Sequence, residues 1–365
     1  MTTVGIVGGG QLARMLALAG LPLGLRFVFL DPAPDACAAA LGEHVCGAYD
    51  DPAALLRFAQ RAEVVTYEFE SVPVSSVAYL AERVPVYPGL KALAVARDRL
   101  SEKTLFNELD IPTTAFAQVN SREDLERAVA GLGFPAVLKT RTLGYDGKGQ
   151  RVLREPRDLA PAWAQLGSVP LIVEAFVAFE RELSVLAARG RDGEVVFWPL
   201  VENQHRDGIL RISRSRPDDP FETQARQFVR RLLDHLGYVG VLALELFQVN
   251  GRLLANEMAP RVHNSGHWTI EGSQTSQFEN HLRAILGLPL GDPAAVGYSA
   301  MVNLIGSTPE PAEVLAVPGA HLHLYGKLPQ PGRKLGHATL RAAQADDLEQ
   351  RLLNLKHMIE DGAYP

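Results

Sequence analysis

The opening run of the chain constrains its fold more than any other stretch. Thr3-Val4-Gly5-Ile6-Val7 is short and apolar, as in a buried strand, and it stops at Gly8-Gly9-Gly10. From Gln11 the pattern changes to the helical spacing of QLARMLALAGLPLG. FVFLD and EVVTYEFE read as further strands, SSVAYLAERV as a helix and VPVYP as another short strand. This β-α-β rhythm predicts a parallel, doubly wound sheet with helices on both faces, over residues 1–100.

The rest of the chain divides into three further units. SEKTLFNELDIPTT reads as a helix running into a turn at Ile111-Pro112. It opens a smaller α+β unit over 101–178, with strands AFAQVN, PAVLKTR, QRVLR and LIVEAFV and a helix SREDLERAVAGLG. Ser121 with Asp124 predicts that helix's N-cap. A larger α+β unit over 179–297 carries RELSVLAARG, EVVFWPLV, LALELFQVNG and RLLANEMAP, with a hairpin predicted at Asn250-Gly251. A small β-rich unit over 298–365 holds MVNLIG, AHLHLYGK and PGRKLGHATL.

Composition excludes several classes of function. With 47% hydrophobic and 21% charged residues the chain is an ordinary globular protein. A net charge of −6 makes nucleic acid a poor partner. Two cysteines, Cys37 and Cys46, make neither a disulfide framework nor a four-cysteine zinc site, and they suit a reducing cytoplasm. No apolar run is long enough for a membrane helix, and the opening residues resemble no export signal.

Five features carry chemistry. Gly8-Gly9-Gly10-Gln11-Leu12-Ala13, followed by Asp31, fits a dinucleotide fingerprint, another phosphate-binding turn, or a purely structural βα turn. Only seven of the 36 basic residues are lysines, so Lys139, ending the apolar strand FPAVLKT, stands out as an anion contact. Gly144-Tyr145-Asp146-Gly147-Lys148-Gly149-Gln150 is a glycine-spaced loop of the kind that folds over phosphates, though it is not a Walker A sequence. Glu245 and Glu257, with Asn256 beside the second, lie on the two arms of the predicted hairpin and suit Mg²⁺ shared with ATP phosphates. Just downstream, Arg261 offers a planar fork for an oxyanion, and His263 with His267 leaves a helical metal pair as an alternative.

In this order the blocks TYEFE, RDRLSEK, GYDGKGQ, QHRDGIL, NEMAPRVHNSGHWT and PGRKLGH resemble the ATP-grasp superfamily. Within it the chain is most similar to the 5-(carboxyamino)imidazole ribonucleotide synthases, almost end to end. The resemblance implies an α/β ATP-grasp architecture: a doubly wound N-terminal domain, a small lid, a larger ATP-grasp domain and a C-terminal β-rich unit. It implies a ligase that uses ATP, Mg²⁺ and bicarbonate to carboxylate the exocyclic amine of aminoimidazole ribonucleotide through carboxyphosphate, in the cytoplasm and as a homodimer.

The resemblance also implies roles. Arg99 and Lys139 would contact ATP phosphates, under a flap formed by Tyr145, Asp146, Gly147, Lys148, Gly149 and Gln150. The strand residues Glu174, Ala175, Phe176 and Val177 would read adenine. Glu182 would bind the ATP ribose, with His205 at another nucleotide position and Asn256 beside the Mg²⁺ ligands Glu245 and Glu257. Gly10, Gln11, Leu12, Glu70, Tyr145, Asp146, Arg261, His263, Asn264 and Ser265 would surround the ribonucleotide or bicarbonate. Arg333 and Lys334 would bind the ribonucleotide 5′-phosphate, and either Asp146 or His263 would take the amine proton unless the released phosphate does. The competing readings are a formate-dependent glycinamide ribonucleotide transformylase of the same superfamily and, from another class, an NAD(P)-dependent oxidoreductase.

Overall fold

A computed structural model describes residues 1–144 and 147–361. Tyr145 and Asp146 therefore lie outside the described residues. Strands β1 (Thr3–Val7), β2 (Arg26–Asp31), β3 (Glu43–Cys46) and β4 (Val64–Tyr67) form a parallel sheet in the order β3-β2-β1-β4. Its strands read as continuous apolar runs because helices cover both faces. VPVYP does not form a strand. Only Val86 bridges to Val65, and Tyr87-Pro88 follows at once, where proline withholds a donor from the ladder.

Four strands make the lid: β5 (Phe116–Val119), β6 (Ala136–Thr140), β7 (Gln150–Leu153) and β8 (Leu171–Ala175), in the order β5-β8-β6-β7. Ser121 caps the lid helix Arg122–Leu132 by accepting the Asp124 N–H, and the Asp124 carboxylate accepts the Ser121 N–H in return, completing the capping box. In β6 the side chains alternate. Ala136 and Leu138 enter the lid core, which leaves Val137 and Lys139 facing a cleft.

The remaining strands form one nine-stranded sheet. They are β9 (Arg181–Arg189), β10 (Val195–Phe197), β11 (Leu200–Arg206), β12 (Ile209–Arg216), β13 (Gly240–Val249), β14 (Arg252–Ala259), β15 (Tyr298–Ile305), β16 (Ala320–Leu324) and β17 (Lys334–Ala342). The order is β14-β13-β9-β11-β12-β15-β17-β16, with β10 beside β9. EVVFWPLV is two strands: the Trp198 N–H still bonds the Leu186 carbonyl of β9, but Pro199, which has no N–H, interrupts the run, and the Trp198 ring is completely buried. The C-terminal strands extend the central sheet through β12 and β15. Their face is covered by a helix, Ala345–Asp361, whose Leu348, Leu352 and Leu355 are buried; the β-rich reading of this unit did not include it. The β13–β14 hairpin turns at Asn250 (φ 48°) and Gly251 (φ 71°), the left-handed pair that a two-residue turn demands.

His281, on the helix Gln277–Leu286, joins two of the units. Its Nε2 lies 2.8 Å from Thr66 Oγ1 of β4, and its Nδ1 accepts the Val241 N–H of β13 at 3.1 Å. Burial pushes this imidazole down to about 3, so it is neutral in the folded chain.

Candidate active site

A cleft of about 1250 Å³ lies between the lid, the first sheet and the large sheet. Its floor is the β13–β14 hairpin. Leu244 pairs with Met258 and Leu246 with Ala255, so Asn256 and Glu257 together oppose the single residue Glu245. This is a β-bulge, and it re-aims side chains while the flanking leucines stay in the core. Burial first, then the charge of Glu257, pushes the Glu245 carboxyl up to about 7. A divalent cation would relieve that repulsion, so the donor set fits Mg²⁺. Among the described residues no group of three or more His, Cys, Asp or Glu side chains converges as a metal cage. A metal here would draw its other ligands from phosphate oxygens and water, as Mg²⁺ commonly does.

The same face of the sheet carries more of the predicted residues. Glu182 lies opposite Phe247, two positions from the Glu245–Ser184 pair. Its Oε2 is 2.7 Å from His205 Nδ1, and although burial alone would lower the His205 pKa, this bond and nearby carboxylates raise it.

The lid forms the facing wall. Lys139 Nζ donates to Glu174 Oε2 at 2.9 Å, and the buried Lys103 Nζ approaches the same oxygen at 3.5 Å. Burial tends to raise the Glu174 pKa, but Lys139 and Lys103 outweigh it and leave the carboxyl below its usual range. Ala175, Phe176 and Val177 continue that wall. Arg99 donates to the Thr140 carbonyl at 3.2 Å and the Gly144 carbonyl at 3.0 Å, and it lies 3.9 Å from Glu257 Oε2. It therefore joins the start of the glycine loop to the bulge. Gly147, Lys148 and Gln150 line the cleft, while Gly149 does not. Gly147 has φ 75°, and a Cβ there would stand 3.0 Å from the Asp207 carbonyl in the β11–β12 turn.

Opposite the lid, Arg261 Nε donates to Glu70 Oε2 at 2.6 Å. Burial tends to raise the Glu70 pKa, but Arg261 reverses this and holds the carboxyl ionised. His263 is buried beside this guanidinium, and both effects drive its pKa well down. The Ser265 N–H donates to His263 Nδ1 at 3.3 Å, so Nδ1 carries no proton and Nε2–H points to Glu245 Oε1, 3.3 Å away. Ser265 is fully buried behind His263, where its hydroxyl takes a 2.7 Å bond from Ser184; it does not reach the cleft wall. Asn264 does reach that wall, and both of its side-chain polar atoms are buried without a protein partner. The helical metal pair is not formed: His263 and His267 flank one 3₁₀ turn, Asn264–Gly266, and His267 Nδ1 faces Gln277.

The Gly-rich turn at the N-terminus is already occupied. The Gly9 N–H donates to Asp31 at 2.8 Å, the Ala13 N–H to Glu68 at 2.9 Å, and the Gly10 N–H to the other Glu68 oxygen. Two internal carboxylates thus fill the helix N-terminus, which removes the dinucleotide reading and leaves the Gly10 N–H already bonded. Asp31 also takes the Tyr49 hydroxyl, so it is not open to a ribose. Gln11 and Leu12 do line the cleft, as does Lys334; Arg333 is exposed and turns toward the Leu328 carbonyl. Sequence reasoning missed Glu68, Glu102, Lys103 and Lys327. Lys327 bonds the Gln11 amide oxygen, and its place in YGK after a strand was the available signal.

Comparisons with known proteins cover nearly the whole chain. The ribonucleotide synthetase preATP-grasp domain matches residues 1–97, the ATP-grasp domain 104–278, and the phosphoribosylaminoimidazole carboxylase C-terminal domain 299–351. N5-carboxyaminoimidazole ribonucleotide synthase of Pseudomonas aeruginosa is 58% identical over 98% of this chain and 99% of its own. The crystal structure of N5-carboxyaminoimidazole ribonucleotide synthetase from Thermus thermophilus superposes with a TM-score of 0.94 at 55% identity, over 99% of this chain and all of the other. The Aspergillus clavatus synthase, solved with ADP and 5-aminoimidazole ribonucleotide, superposes at 0.92 with 30% identity and 99% of both chains covered.

Proposed function

Because the chain belongs to the N5-carboxyaminoimidazole ribonucleotide synthases of the ATP-grasp family, we propose that its cleft binds ATP along the lid wall and aminoimidazole ribonucleotide against the first sheet. The chain carries out ATP-dependent synthesis of N5-carboxyaminoimidazole ribonucleotide in purine biosynthesis. The complex of the Aspergillus relative supports ADP and the ribonucleotide as ligands of the same cleft. The observation that carries the residue assignment is the bulge. It sets Glu245 and Glu257 between Lys139 of the lid with Arg99 on one side and the Arg261–Glu70 pair on the other.

Bicarbonate is the carboxyl donor in this reading. One of its oxygens attacks the γ-phosphorus of ATP, the bond to the bridging oxygen breaks, and ADP leaves carboxyphosphate behind. Lys139 and Arg99 hold the phosphates, with Glu182 at the ribose and Glu174 to Val177 at the base. Glu245 and Glu257 would hold Mg²⁺, which when bound would neutralise phosphate charge. Arg261, fixed in direction by Glu70, holds the bicarbonate through its planar fork. Asn264 and the Nε2–H of His263 stand beside it. The exocyclic amine then bonds the carboxyl carbon, phosphate departs, and the amine loses a proton.

His263 has no open lone pair in this arrangement, so it serves as an orienting donor. The proton passes to Asp146 or to the departing phosphate. Carboxyphosphate hydrolyses readily, and the glycine loop, whose Gly147 lies close to the β11–β12 turn, would exclude water. Lys334 holds the ribonucleotide phosphate. The free thiols Cys37 and Cys46 support a cytoplasmic setting, and the reading includes a homodimer, for which a monomeric mass in sedimentation would be the contrary result.

Oxygen-18 labelling tests the chemistry. With [¹⁸O]bicarbonate, carboxyphosphate formation puts one labelled oxygen into the released phosphate. Unlabelled phosphate at full product yield would remove the intermediate from the account.

A further inference from the structure

The block RDRLSEK contributes Arg99 to the nucleotide wall, but its last two residues have no part in that assignment. Glu102 and Lys103 are 2% and 1% exposed, which is costly for charged groups without a purpose. Both sit on the helix Arg99–Glu108, which starts at the Asp98 cap and packs on the outer edge of β14.

β14 is an edge strand, and at the bulge it has lost regular pairing with β13. Its outward main-chain groups therefore need other partners. Pro112 takes one of them, accepting the Ala255 N–H at 2.7 Å. The next two are taken by Lys103, whose Nζ donates to the Asn256 carbonyl at 3.1 Å, and by Glu102, whose Oε1 accepts the Met258 N–H at 2.7 Å. These groups belong to the two peptide units on either side of Glu257. A peptide unit is planar, so anchoring both units fixes the two rotations at the Glu257 Cα and with them the direction of its side chain. Lys103 also approaches Glu174, which bonds Lys139 on the lid.

We propose that Glu102 and Lys103 are positioning residues that aim the Glu257 carboxylate, and that Lys103 ties this setting to the lid through Glu174 and Lys139. The proposal rests on the assignment of Glu257 as a Mg²⁺ ligand. Neither side chain needs to touch substrate for it to hold.

The test exploits reach against charge. Glu102→Gln keeps an oxygen at the same length and removes the charge. Glu102→Asp keeps the charge and withdraws the acceptor. The readouts are the Mg²⁺ concentration that half-saturates turnover and the gain in ADP affinity that Mg²⁺ produces in calorimetry. The proposal predicts a near-wild-type Gln variant and an Asp variant whose half-saturating Mg²⁺ rises about tenfold, the usual size for loss of a group that orients a metal ligand. Lys103→Met, close in volume, shows the same weakened Mg²⁺ response. The opposite pattern, Asp normal and Gln impaired, would mean that Glu102 acts through its charge and would overturn the proposal. A normal Mg²⁺ response in both Glu102→Asp and Lys103→Met would overturn it as well. Glu257→Ala separates the two levels: if its Mg²⁺ response is normal, the metal assignment itself fails, whereas a lost response there beside normal Glu102→Asp and Lys103→Met removes the positioning role alone.

Discussion

Replacing Arg261 by Met separates what this residue does for the fold from what it does for the reaction. The guanidinium sits 2.6 Å from Glu70, so the substitution leaves a carboxylate half enclosed without its cation. Removing one partner of a buried pair costs about 3–5 kcal/mol. Glu70 keeps 30% of its side-chain surface exposed, which places the expected loss near the lower end, about 3 kcal/mol. Turnover should fall separately, by about 10²–10³, the usual effect of removing a donor aimed at developing negative charge. The double variant Glu70→Gln/Arg261→Met tells the two apart, because it removes the stranded charge without restoring the fork. Its urea midpoint should recover most of the loss while kcat stays low. If the double variant is no more stable than Arg261→Met, Glu70 does not depend on Arg261. If Arg261→Met keeps wild-type turnover, the bicarbonate lies elsewhere.

Three further outcomes are expected. Lys334→Ala should raise the KM for the ribonucleotide about tenfold, as for loss of one charge-assisted bond, and leave the KM for ATP unchanged; an effect on ATP alone would move the phosphate site. Gly147→Ala puts a methyl 3.0 Å from the Asp207 carbonyl at φ 75°, and strain of about 1–3 kcal/mol should raise the KM for ATP while sparing that for the ribonucleotide. His281 is held near 3 in the fold and titrates near its ordinary 6.5 when unfolded, so unfolding takes up a proton below 6.5 and stability falls as pH drops. Between pH 7 and 5 that residue should account for about 2 kcal/mol, read as the difference in pH dependence of the urea midpoint between wild type and His281→Gln; equal slopes would contradict its burial as a neutral group.

Where local chemistry acts alone, the sequence was enough. The hairpin at Asn250-Gly251 needs only left-handed residues, and the Ser121 cap needs only Asp124. Lys139 stood out because a lysine is costly at the end of an apolar strand, and the structure gives it Glu174. The losses came where partners are distant in the chain. Gly9 and Gly10 invite an outside anion, and nothing local reveals that Asp31 and Glu68 already supply one. Glu245 and Glu257 were placed on the hairpin arms, but the bulge that aligns them is a matter of register, which no residue type announces. Glu102 and Lys103 were not singled out, because the β14 main-chain groups that hold them are distant in the chain. The helix Ala345–Asp361 was missed because the preceding strands dominate the pattern of that unit.

The account stands most directly on one measurement: ADP release with Mg·ATP and bicarbonate, with and without aminoimidazole ribonucleotide, in the wild-type chain and in Glu257→Ala. It predicts strong release only when the ribonucleotide is present, one ADP for each free amine lost, and none from the folded Glu257→Ala variant. Release driven instead by glycinamide ribonucleotide with formate, or an undiminished rate in Glu257→Ala, would contradict it.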